Sequence, residues 1–121
     1  MPTPLLGVPL MDRDHETLDR LFEKAAEADD AGLPAALEAI ATELGAHFAR
    51  EEVLMTEARV PILLCHLELH AQLLREVEKM RDVIGSLDRD TARQIVAVVL
   101  PDIVANHVAT ADTASASWLR R

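Results

Sequence analysis

Aromatic side chains are nearly missing from this chain, which has two Phe, one Trp and no Tyr among 121 residues. An interior without rings must be filled by Leu, Val, Ile and Ala, and that favours helices. A single cysteine, Cys65, excludes an intramolecular disulfide framework and gives no reason to expect an oxidising compartment. Positive charge is scarce too: 12 Lys and Arg stand against 21 Asp and Glu, for a formal net charge of −9. Such a surface repels phosphate, so neither nucleic acid nor an anionic membrane is expected as a partner. The opening MPTPLLGVPLM lacks a basic region, is interrupted by three prolines and is too short for a signal peptide or a membrane span. It reads as an N-terminal arm, residues 1–11, on a single domain covering 1–121, expected to be cytoplasmic and monomeric.

No segment shows the alternation of a strand, and Pro, Gly, Asp and Ser divide the chain into four helical stretches. The first is expected to start with Asp12 as N-cap and to run through EADD, with His15, Leu18, Phe22 and Ala25 on one stripe. The second opens at Gly32-Leu33-Pro34 and continues to about Ala58, with Leu37, Ile40, Leu44, His47, Glu51, Leu54 and Ala58 in line. The third runs from near Pro61 to Gly85-Ser86, placing Leu63, His66, His70, Leu73, Val77, Met80 and Ile84 on one face. The fourth extends from about Asp90 to Trp118, where Pro101 deletes a backbone hydrogen bond and should kink the helix before His107. Four such helices with short loops imply an all-α, antiparallel up-down-up-down four-helix bundle.

The stripes carry more than leucine. His15, His47, Glu51, His66 and His70 share the core-facing positions, where an unpaired carboxylate or imidazole costs several kcal/mol. One histidine on an apolar face is usually a hydrogen-bonded core residue; a set drawn from every helix is another matter. His66 and His70 are four apart, so both side chains leave the helix in one direction, about 6 Å apart along its axis. His47 and Glu51 repeat that spacing on the second helix. His107 and Asp112 are five apart, about 140° around an ideal helix, and need a local bulge or the Pro101 kink to point inward together. With His15, all five histidines of the chain are accounted for, and a shared metal site explains them.

Seven donors exceed the four that zinc takes and are too rich in nitrogen for calcium or magnesium. Two ions fit better. If Glu51 and Asp112 each bridge both and an oxide or hydroxide joins them, the ligands supply about eleven contacts where two six-coordinate ions need about twelve. One position is then free for a small molecule. Imidazole with carboxylate suits iron, and by ligand type manganese, cobalt or zinc as well. The carboxylate-rich donor set of di-iron oxidases, with its Glu-x-x-His motifs, is absent, so reversible O2 binding is expected in preference to oxidation of a substrate.

The segments GVPLMDRDHETL, HFAREE, CHLELH and HVATAD together resemble the hemerythrin family over nearly the whole chain. The joint pattern of His, His-x3-Glu, His-x3-His and His-x4-Asp is specific, although no single piece is. The resemblance implies two non-haem iron ions with a bridging oxide or hydroxide. His66, His70 and His107 would hold one, His15 and His47 the other, with Glu51 and Asp112 shared. It also implies that O2 binds at the second iron, in a pocket formed by Leu18, Phe48, Ile103, Val104 and Val108. Many members carry Trp where Ile103 stands and another in the arm, whereas the Trp of this chain is Trp118.

The expected role is an oxygen carrier, store or delivery protein. An O2, NO or redox sensor is the alternative, and a peroxide- or NO-metabolising enzyme ranks third because no proton-transfer residue stands out in the pocket. Asp12 and Asp14 could accept hydrogen bonds from ligand imidazoles, although capping explains Asp12 equally well. Cys65 is expected as buried filler, since it lies about 100° around the helix from His66. The acidic runs EADD and REE, apart from Glu51, are expected to be solvated faces.

Overall fold

The computed structural model describes residues 3–120, and four long helices account for most of them. They are α1 (Pro9–Glu27), α2 (Leu33–Glu57), α3 (Leu63–Val83) and α4 (Arg89–Leu119). No strand occurs among the described residues. The order is that of an antiparallel four-helix bundle, as the periodicity predicts, and the placement of apolar and polar residues explains why it must be antiparallel. Histidines sit early in α1 and α3 and late in α2 and α4. Only alternating directions bring those stretches to one level. The same alternation brings Leu37, Ile40, Leu44, Val77, Val96 and Leu100 together into a continuous apolar core at the other end.

Helix starts differ in detail from the sequence reading. α1 begins at Pro9, three residues ahead of the expected Asp12, because a proline is preorganised for a first turn and its missing N–H is no loss there. Asp12 caps the arm instead of the helix: its carboxylate accepts from the backbone N–H groups of Leu6 at 2.7 Å and Gly7 at 3.1 Å. Gly7 has φ +79°, a conformation that favours glycine, and the turn there seats Val8 and Met11 against Ala116 near the other chain end. At the far end α1 stops at Glu27, and Asp29 caps a short 3-10 turn, Asp30–Gly32, by accepting from Gly32 N–H at 2.8 Å. On α2 the buried stripe ends at Met55; Leu54 is half-buried and Ala58 is exposed. Asp88 caps α4 by accepting from the Thr91 N–H at 2.8 Å.

α4 departs twice from α-helical winding, through π turns at Ile95–Val99 and Val108–Asp112. The first lies just ahead of Pro101, where Leu100 N–H donates to Ile95 C=O, five residues back, so the turn is already wide where the proline removes the next backbone donor. The helix therefore passes Pro101 by widening before it. By length and composition α4 could cross a bilayer, with a mean hydropathy of 1.4 over its most apolar window, but its buried face packs in the bundle and carries His107 and Asp112.

Candidate metal centre

All seven candidate side chains meet at one level of the bundle. His15, His47, Glu51, His66, His70 and Asp112 are at most 3% exposed and His107 is 7% exposed. Normal helical spacing is enough for His47 with Glu51 and for His66 with His70. For His107 and Asp112 the second π turn decides. One extra residue in that turn removes most of the angular offset that five ordinary helical steps would leave, and both side chains face inward.

Each carboxylate divides its oxygens between two groups of imidazoles. Glu51 Oε1 lies 2.9 Å from His66 Nε2 and 3.2 Å from His70 Nε2, while its Oε2 lies 3.0 Å from His47 Nε2. Asp112 Oδ1 lies 3.0 Å from the Nε2 atoms of both His66 and His107, and Oδ2 lies 3.0 Å from His15 Nε2. Two donor groups result, each with its atoms within 4.8 Å of one another: Glu51, His66, His70, His107 and Asp112 in one, His15, His47, Glu51 and Asp112 in the other.

The approach is close, yet both Glu51 oxygens, Asp112 Oδ1 and the Nε2 atoms of His66, His70 and His107 have no hydrogen-bond partner of acceptable direction. Buried lone pairs converging without pairing are what a cation in the middle would satisfy, and the mixture of imidazole and carboxylate suits iron. The residues present therefore fit a two-ion centre.

The opposite charges gathered in the cluster shift one another's titration. Burial works against a charged His66, but the carboxylates of Asp112 and Glu51 outweigh it and push its pKa up to about 9. Burial likewise opposes ionisation of Glu51, and His47, His66 and His70 overcome it, holding its pKa down at about 2. Asp112 is lowered against its own burial by His107, His15 and His66, and His47 is raised against burial by Glu51 and Asp14.

The outer nitrogens are served unevenly. His47 Nδ1 meets Asp14 Oδ2 at 3.0 Å, His70 Nδ1 meets Glu52 Oε2 at 2.8 Å and His66 Nδ1 meets Ser115 Oγ at 2.6 Å. His15 Nδ1 is buried with no partner among the described residues. Of the two aspartates considered from sequence, Asp14 contacts a cluster imidazole and Asp12 serves the arm. Glu52 and Ser115 were not foreseen. The REE run is not simply a solvated face, since Glu52 reaches His70 and Arg50 reaches Asp14. A carboxylate directly after Glu51 was the available signal, whereas nothing in sequence ties Ser115 to His66 on another helix.

Around the cluster, Phe48 stacks on His70 with ring centroids 3.9 Å apart and an interplanar angle of 9°. Leu18, Phe48, Val104 and Val108 are buried in the apolar core. Ile103 is only half-buried and lines, with Leu69, Leu73 and His107, a groove of about 480 Å³ between α3 and α4. Cys65 is exposed, not buried: α3 turns His66 and His70 inward, and the residue before His66 faces away.

The family model for the hemerythrin HHE cation binding domain matches residues 6–116. A bacteriohemerythrin from Ralstonia nicotianae is 31% identical over 114 residues, covering 94% of this chain and 82% of that protein. No solved structure matches.

Proposed function

Since this chain belongs to the hemerythrin family, we propose that its buried cluster holds two iron ions and that the protein binds O2 reversibly, as a carrier, store or delivery protein. His66, His70 and His107 would hold one iron and His15 and His47 the other. Glu51 and Asp112 would bridge them together with an oxide or hydroxide. The iron pair, when bound, would supply the electrons by which O2 is held and released. The observation that carries this reading is the division of each carboxylate's two oxygens between the two histidine groups.

The group with His15 and His47 has one imidazole fewer, so it is where a small ligand would find a free position. Leu18, Phe48, Val104 and Val108 exclude water on the apolar side of the cluster and offer no proton donor there. Stacking on Phe48 restrains the His70 ring, and Glu52 at its Nδ1 fixes the ring's direction.

The test combines iron quantification with an anaerobic-to-aerobic absorption titration. Two irons per chain and charge-transfer bands that appear with O2 and bleach on its removal are expected. A normally helical, colourless protein without iron would overturn the proposal.

A further inference from the structure

Among the five cluster histidines, His47 has an outer hydrogen bond that is itself anchored. Asp14 Oδ2, on α1, accepts from His47 Nδ1 at 3.0 Å and from Arg50 Nε at 2.9 Å. Arg50 in turn donates through Nη2 to Glu43 Oε1 at 2.8 Å. Asp14 is 4% exposed, whereas the Arg50 side chain is 39% exposed, so the chain of contacts runs from the surface to the cluster.

The consequence follows from the donor inventory of imidazole. A neutral ring carries one N–H, and an ionised carboxylate can only accept. Asp14 therefore keeps the proton of His47 on Nδ1 and leaves the Nε2 lone pair aimed at the cluster, which is the tautomer a metal requires. The guanidinium, bonded to the same Oδ2 and tied back to Glu43, restrains the carboxylate. The other histidines lack such an arrangement. Glu52, which meets His70, is met by no described cation, and Ser115, which meets His66, has a hydroxyl that can donate or accept and so selects no tautomer. His15, the second imidazole of the smaller donor group, has no described partner at Nδ1.

We propose that Asp14, anchored by Arg50 and Glu43, is a positioning residue that governs retention of the one ion held by His15 and His47, and that the exposed Arg50 gives the protein surface a handle on that ion. This rests on the two-ion reading above.

The experiment measures iron release from the loaded protein to a chelator, with helicity checked by circular dichroism. Asp14→Asn, whose amide can donate as well as accept, should release one of its two irons about 10–100-fold faster and leave the other at the wild-type rate. Arg50→Met should act in the same direction. The double variant should be no faster than Asp14→Asn alone, because both break one chain of contacts. Glu52→Gln should speed the other iron, and combined with Asp14→Asn it should speed both.

A general loss of packing would release the two irons together, and that result overturns the inference, as do unchanged rates or Asp14 and Arg50 effects that multiply. If Asp14→Asn fails to fold, Arg50→Met decides by the same selectivity. A wild-type protein that takes up no iron removes the two-ion reading and this inference together. A wild-type protein with two irons and indifferent variants removes the inference alone.

Discussion

Deletion of Ala109 should leave the metal centre intact, although it removes a residue from the middle of a long helix. Normally such a deletion rotates everything downstream by about 100° and draws it back by about 1.5 Å. Here the residue lies in the π turn Val108–Asp112, where one extra residue is already accommodated, and Ala109 itself is exposed. Its loss lets the turn relax to α-helical winding. His107 and Asp112 would then be four steps apart, about 40° around the axis, and Ser115 and Ala116, both 0% exposed, would stay in phase.

The matched control is deletion of Ala49, another exposed alanine between a cluster histidine and its carboxylate, in a stretch of α2 without a wide turn. There nothing can relax, so Glu51 and Met55 are turned by about 100° out of the core. The loss of Met55 burial alone is about 2–5 kcal/mol, a large part of the 5–15 kcal/mol typical of a domain. Iron content and thermal melts of the two deletions decide. Near-native iron content is expected without Ala109 and little iron with a lowered Tm without Ala49. Equal loss of iron in both would refute the claim that the π turn serves to bring His107 and Asp112 into phase.

His70→Ala should lose iron far more readily than Cys65→Ala, because the first removes a buried donor and the second an exposed thiol; metal analysis of both proteins checks this. Phe48→Ala should destabilise the protein by about 3–5 kcal/mol, from the lost volume and the lost stacking on His70, measured by denaturant unfolding. For metal-free protein the pH dependence has a defined sign. The His66 pKa is raised from 6.5 to about 9, so its contribution is complete below pH 6.5 and is lost as pH rises through 9. The Glu51 pKa is lowered from 4.5 to about 2, so its contribution is present above pH 4.5 and is lost as pH falls toward 2. Thermal melts of the iron-free protein should therefore peak between pH 4.5 and 6.5. With iron bound, the decline between pH 6.5 and 9 should disappear.

Helical periodicity and the spacing of His, Glu and Asp are local properties, and they alone determined the bundle, its antiparallel order and the meeting of residues such as His66 with His70 and His47 with Glu51. They hold because a helix sends residues three and four apart in one direction whatever surrounds it. The partnership of His47 with Asp14, of His70 with Glu52 and of His66 with Ser115 was decided by tertiary structure, since each joins side chains from different helices. The winding of α4 joins both kinds: five residues separate His107 from Asp112, and the wide turn that aligns them is bridged by the Thr113 hydroxyl, which donates to Val108 C=O at 2.8 Å, while the side chains it turns inward meet groups from other helices. Cys65 shows the converse: its angular distance from His66 was legible, but whether that angle faced a neighbour or solvent depended on where the surrounding helices lie.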